Sequence, residues 1–284
     1  MAYEATVRDD DADVRTVEAT ARREPSVELE LSEVNKVYQA RLGTVEALSD
    51  VNLSVSRGEF VSLVGRSGCG KTTLLRILSG LLPPSSGSVS ANGQGIWKGT
   101  ARDDEALKQF GVVFQDANLF PWFSVSDNIS LPLKLRGVGR KARAARAQEL
   151  CQMVGLAGFE SAYPRELSGG MRQRAAIARA LSYNPSILLM DEPFGALDAL
   201  TRDKMNLELQ SLHSAAGVTV VFVTHSISEA VFLADRVVLL TPRPGRIRSV
   251  TPVELARPRS LDTGTTAEFQ EIVRTLRHEL DEEL

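Results

Sequence analysis

The chain has 284 residues, 43% hydrophobic and 24% charged, which is ordinary for a globular protein with a sizeable core. Its 33 basic and 36 acidic side chains give a formal net charge of −3, leaving no basic excess that would point to nucleic acid. No run approaches the roughly 18 apolar residues of a membrane-spanning helix, the start lacks a secretory apolar stretch, and Cys69 and Cys151 are too far apart in unlike contexts for a disulfide framework or metal cluster.

Residues 1–26 read as a disordered acidic tail, with Asp9, Asp10, Asp11 and Asp13 and few large apolar groups to offset ordering entropy. Order is expected from Val27. Val27, Leu29 and Leu31 alternate, as do Val51, Leu53 and Val55, the period of half-buried strands. Phe60–Val64 is nearly unbroken in apolar character, as in a strand covered on both faces. A glycine-rich loop follows, and residues 72–82 have helical spacing, which together open a parallel α/β sheet. Residues 116–182 read as helical. Within them Ala147, Leu150, Cys151 and Val154 share one face and Gly155 ends the helix, making Cys151 a small core residue. Strands are expected again at Ile187–Met190, Val218–Val223 and Arg236–Leu240. Met205, Leu209 and Leu212 mark a helix between the first two. A last helix is expected near Thr265, where Thr265-x-x-Glu268 fits a capping box. Its apolar face would be Phe269, Ile272, Val273, Leu276 and Leu280. His213 and His278 have no motif around them and are expected to be solvated.

Gly65-Arg66-Ser67-Gly68-Cys69-Gly70-Lys71-Thr72 fits the phosphate-loop pattern, with Thr73 next in the helix. Glycines let successive backbone N–H groups curl around a polyphosphate, and the following helix aims its positive end at the same charge. Lys71 would reach the β- and γ-phosphates, and the Thr72 hydroxyl would bind Mg²⁺. The apolar run Ile187–Met190 ends in Asp191 and Glu192. Beside a phosphate loop, Asp191 would hold Mg²⁺ and Glu192 would orient and deprotonate the attacking water. Ser168-Gly169-Gly170, within Leu-Ser-Gly-Gly-Met-Arg-Gln, puts bare N–H groups and a hydroxyl at the head of another helix. Two phosphate-seeking helix ends in one chain point to two half-sites that close on one nucleotide.

Taken together these residues resemble the ABC ATPases over roughly residues 27–250. Six elements stand in the family's order: Tyr38, the loop Gly65–Thr72, Gln115 in Val-Val-Phe-Gln, the Leu-Ser-Gly-Gly-Met-Arg-Gln signature, Asp191-Glu192, and Asp198 ahead of His225 in Val-Thr-His. The resemblance implies an α/β P-loop (RecA-like) core with an antiparallel β subdomain and an inserted α-helical subdomain at about 116–182. A short C-terminal helical extension would occupy 251–284. It also implies a head-to-tail dimer sandwiching two ATP molecules, each between Lys71 of one copy and Ser168–Gly170 of the other, with Gln173 in the same signature helix near the nucleotide. Tyr38 would stack on adenine, and Gln115 would sense Mg²⁺ and the γ-phosphate. Asp198 would support the dimer seam, and His225 would contact the γ-phosphate and hold the attacking water.

Arg243-Pro244-Gly245-Arg246-Ile247, a turn between strands, looks like the ATPases of nitrate, sulfonate and taurine importers, and the short extension fits that branch. The resemblance then implies an ATPase at the cytoplasmic face of the membrane. Its partners would be transmembrane permease subunits, a second copy of itself and, indirectly, an external solute-binding protein, with no nucleic acid. Trp122, in Leu119-Phe120-Pro121-Trp122-Phe123, is expected at the groove that accepts a permease helix. The alternatives are a vitamin-precursor importer or an exporter, a soluble ABC ATPase acting on DNA or ribosomes, and a non-hydrolysing nucleotide switch. The single cassette without long heptads disfavours the soluble ATPase, and the intact set Lys71, Asp191, Glu192 and His225 disfavours the switch.

Overall fold

The computed structural model describes residues 26–40 and 43–281, so the expected acidic tail lies outside the described residues but for Ser26. In chain order the elements are β1 (Val27–Ala40), β2 (Gly43–Ser56), β3 (Phe60–Val64), α1 (Lys71–Leu78) and β4 (Ser86–Ala91). Three two-residue strands follow, β5 (Gln94–Gly95), β6 (Trp97–Lys98) and β7 (Ala101–Arg102), then α2 (Asp104–Leu107) and β8 (Phe110–Val113). Next come α3 (Val125–Leu135), α4 (Arg140–Met153), α5 (Gly169–Leu181), β9 (Ile187–Asp191), α6 (Ala199–Ala216), β10 (Thr219–Val223) and α7 (Ile227–Leu233). β11 (Arg236–Leu240), β12 (Ile247–Pro252) and α8 (Ala267–Asp281) complete the order.

A six-stranded sheet runs β12-β11-β3-β10-β9-β8, parallel except where β12 turns back on β11. β3, β8, β9, β10 and β11 are short and covered on both faces, which is why they read as apolar runs, whereas the edge strand β12 alternates half-buried and exposed residues. Successive side chains point to opposite layers. Phe60, Leu188, Met190, Val220, Phe222, Val237 and Leu239 enter one core with α3–α8. Val61, Leu63, Ile187, Leu189, Val221, Val223 and Val238 enter the other, with α1 and the antiparallel sheet β2-β1-β4-β5. Each fully buried Val, Leu or Phe contributes about 1.5–3 kcal/mol, so this double-sided burial holds the strand ends in place.

The expected strands at 187, 218 and 236 are present. β4 and β8 lie in a stretch where no strand is expected from the residues. Ser86–Ala91 is mostly small and polar, and Phe110–Val113 spans a single short run. The stretch 116–182 is helical only in part: residues 114–124 form a loop ahead of α3, 136–139 separate α3 from α4, and 154–168, with a 3₁₀ turn at Pro164–Glu166, separate α4 from α5. Cys151 is a core residue as expected, and burial pushes its thiol up to about 11.

Two expectations are corrected. The last helix is capped by Thr266, whose hydroxyl accepts from Phe269 N at 3.3 Å, while Thr265 closes a preceding 3₁₀ turn. His213 is not solvated: it is 7% exposed, sits edge-on to Phe60, and its Nε2 lies 3.0 Å from Gly58 O. Burial lowers its pKa, with Arg257 nearby acting the same way. The unfolded chain therefore takes up a proton first, and this contribution to stability is lost as pH falls below about 6.5. In urea titrations at pH 7.5 and 5, His213→Gln is expected to lose less stability between the two pH values than the parent. An equal loss in both would remove His213 as the cause.

Candidate functional site

The turn between β3 and α1 carries the phosphate-loop residues at the carboxyl end of the central sheet, where parallel α/β folds place ligands. Gly68 and Gly70 adopt φ of 79° and 105°, a region costly for side-chain-bearing residues. A Cβ on Gly70 would also lie 2.6 Å from Leu48 Cδ2 and 2.8 Å from Ala47 O, so the loop sits directly on β2. α1 has no acidic residue in its first turn, leaving its positive end unopposed. Lys71 is 6% exposed, its ammonium donating to Gly65 O at 2.7 Å and Arg66 O at 3.2 Å. Cys69 is buried at 1% exposure, so it presents backbone rather than thiol. Arg66 points toward α8, 3.6 Å from Asp281.

The loop forms one wall of a cleft of ≈ 360 Å³ lined by Tyr38, Val45, Ala47, Ser67, Gly68, Gly70, Lys71, Thr72, Thr73, Glu192, His225 and Arg243. Tyr38, near the end of β1, has its hydroxyl 3.4 Å from Thr73 Oγ1. Thr72 Oγ1 donates to Asp191 Oδ1 at 3.3 Å across the root of the cleft. Burial raises the Asp191 pKa, while the Thr72 hydrogen bond and the cations Arg76 and Lys71 pull it down. A hydroxyl beside a carboxylate is the hard-oxygen donor set that suits a small divalent cation.

Glu192 follows Asp191 with φ 44°, a left-handed conformation uncommon for a residue with a Cβ and worth about 1 kcal/mol of strain. Its amide donates to Val223 O at 2.9 Å, which turns the side chain out of the sheet. There Oε2 lies 3.0 Å from His225 Nδ1, with Glu192 23% and His225 56% exposed. Behind His225, Thr224 Oγ1 bonds the carboxyl of Glu229, and Ser226 N donates to Thr224 Oγ1 at 3.0 Å. Glu229 is 7% exposed and burial raises its pKa, so it anchors the His225 loop from inside. Gln115 approaches the same centre: a Cβ on Gly195 would lie 3.6 Å from Glu192 Oε2 and 3.7 Å from Gln115 Nε2.

The residues expected to form a second half-site lie elsewhere. Ser168 caps α5, accepting from Met171 N at 3.3 Å, and Asp198 caps α6 by accepting from Thr201 N and Thr201 Oγ1 at 3.0 and 2.7 Å. Those bonds lower the Asp198 pKa. Ser168, Gly169 and Gly170 do not line the cleft with Lys71, and neither does Asp198. Gln173, expected near nucleotide, is 3% exposed and donates to Phe114 O at 3.2 Å. Its reach is inward, to the loop bearing Gln115, because the capped start of α5 rotates that face into the core. Arg243 and Glu229 were missed as site residues. The signal for Arg243 was its position just past the carboxyl end of β11, beside β3.

The ABC transporter family profile matches residues 48–195. An uncharacterized ABC transporter ATP-binding protein of Methanocaldococcus jannaschii is 45% identical, with 94% of this chain and 96% of that protein covered. A taurine import ATP-binding protein of Burkholderia pseudomallei is 49% identical over 79% of this chain and 84% of its own. A nitrate import ATP-binding protein of a Synechocystis strain is 44% identical over 80% and 83%. Among solved structures, a dimeric bacterial ABC transporter cassette superimposes with a TM-score of 0.71 at 37% identity, covering 80% of this chain and all of that one. A post-hydrolysis state of that cassette, bound to ADP and Pi, gives 0.69 at 36% identity with the same coverage.

Proposed function

The chain belongs to the ABC transporter ATP-binding family, and from that premise we propose that it powers an importer of nitrate, sulfonate, taurine or a related small solute. The observation carrying the enzymatic part is the contact of Glu192 Oε2 with His225 Nδ1, 3.0 Å apart in the cleft that also holds the phosphate loop. A water between that pair and a γ-phosphate cradled by the loop would attack in line. Its oxygen bonds to phosphorus as the bond to the bridging oxygen breaks, releasing ADP. Glu192 would accept the proton, and His225 and Gln115 would hold the water and γ-phosphate in position. Lys71 and the amides at the start of α1 would stabilise the charge on the transferring group. The Thr72 hydroxyl and Asp191 carboxylate would hold Mg²⁺, which when bound offsets phosphate charge.

The half-site Ser168–Gly170 lies away from this cleft, which supports a head-to-tail pairing of two copies, each lending its signature helix to the other's nucleotide. Asp198 would then stand at the seam. Among the described residues no helix is long and apolar enough to cross a membrane, so coupling to transport would pass through separate permease subunits at the cytoplasmic face. The surface that fits this role is the aromatic platform after Gln115. Asn128, fully buried, donates to Phe120 O, Phe123 O and Ser124 O and accepts from Phe120 N, fixing a loop that leaves Trp122 67% exposed. Exposed aromatics on a rigid support are favoured anchors. Trp122→Ala is expected to keep basal ATPase activity and to weaken permease binding by about tenfold or more, as removal of a single anchor does. Unchanged binding and coupling would reject that surface.

The test of the whole reading is purification of the chain from detergent-solubilised native membranes. Recovery with a multi-span permease, and ATPase activity that rises with a nitrate- or sulfonate-type solute, is expected. Recovery with ribosomes or DNA, and activity that depends on them, would replace transport with the soluble-ATPase alternative.

A further inference from the structure

The loop joining β11 to β12 is built against the phosphate loop. Gly245 N donates to Ala47 O and Ser49 N to Gly245 O, both at 3.0 Å, while a Cβ on Gly245 would lie 2.0 Å from Cys69 O. Within the turn, Thr241 N donates to Arg246 O at 2.9 Å, and Thr241 Oγ1 bridges Pro244 O and Arg246 N, each at 3.0 Å. This framework fixes Arg243, an exposed residue in the wall of the cleft. Its Nη2 stands 3.6 Å from where a Cβ on Gly68 would be, so glycine there keeps the guanidinium next to the loop backbone.

The other loop cations are engaged: Lys71 with Gly65 O and Arg66 O, and Arg66 with Asp281. Arg243 makes no hydrogen bond or ion pair among the described residues. An exposed, unpartnered guanidinium on a rigid turn is matched to a phosphate, whose oxygens accept two parallel N–H bonds from its planar fork. Resting on the reading of the cleft as a nucleotide site, we propose that Arg243 is a further binding residue that grips the polyphosphate of the nucleotide from the side opposite Glu192 and His225's element, the β11–β12 turn acting as a second clamp on the phosphate loop.

Calorimetric titration of the full chain with ATP, ADP and adenosine tests this. Arg243→Ala is expected to weaken ATP and ADP by about tenfold, the scale of a lost charge-assisted pair, and to leave adenosine binding unchanged. Arg243→Lys, which keeps the charge but not the fork, should fall between. Raising the salt should narrow the difference between variant and parent. If Arg243→Ala binds ATP as the parent does, or loses adenosine equally, the proposal is overturned while the nucleotide site stands. If the parent chain binds no ATP, the reading of the cleft falls with it. Melting temperatures should match throughout, because the framework of the turn uses backbone groups and Thr241 rather than the Arg243 side chain.

Discussion

Glu192→Gln is expected to bind ATP at least as well as the parent, lose turnover by about a thousandfold, and accumulate as an ATP-bound dimer, since loss of a general base costs on the order of 10²–10⁴ in rate. The substitution is nearly isosteric. The left-handed backbone at 192 and the amide bond to Val223 O do not depend on the carboxylate, so the outward turn at the strand end persists. A carboxamide can still occupy the place beside His225, but it cannot take up the proton released as water attacks. Phosphate release under saturating ATP measures the rate, and light scattering with and without ATP measures the dimer. Turnover within about threefold of the parent would show that another group is the base.

The largest expected effect on stability comes from a residue far from this chemistry. Arg259 is 2% exposed; its Nη1 donates to Val231 O, Phe232 O and Ala234 O at 2.8–3.0 Å and its Nη2 to Val253 O and Leu255 O at 3.2 and 3.3 Å. Three of those carbonyls lie at the carboxyl end of α7, where a helix leaves acceptors unpaired and a positive charge is favoured. Burial lowers the guanidinium pKa to about 10, so it remains charged at neutral pH. Arg259→Met would fill much of the volume but leave the carbonyls without donors, each unpaired group costing about 1–3 kcal/mol. A loss of about 3–5 kcal/mol in a urea titration is expected, typical of breaking a buried charged contact. A loss under about 1 kcal/mol would mean that water replaces the guanidinium at little cost. Because α7 begins two residues after His225, partial unfolding there should also lower ATPase activity below the unfolding midpoint.

Local sequence was enough for the phosphate loop, for Asp191 and Glu192 at the end of β9, and for the capped signature helix. In each, the chemistry demands particular residue types within a few positions: glycines for a tight backbone curl, a hydroxyl after the lysine, carboxylates where an apolar strand ends. The central strands were legible for a related reason, since burial on both faces writes itself as an unbroken apolar run. What depended on distant partners was not legible. His213 reads as a surface histidine until Phe60 and Gly58, more than 150 residues earlier, close over it. Arg259 stands in no motif, and only in the folded chain do five carbonyls from the end of α7 and the segment after β12 converge on it. Gln173 is turned inward by the rotation of α5, and Arg243 is carried to the cleft by a turn packed on the phosphate loop. Spacing along a chain records the periodicity of a helix or strand and the needs of a local motif. It carries no record of which polar groups from separate elements meet when two layers pack, and those meetings were decided by the tertiary structure alone.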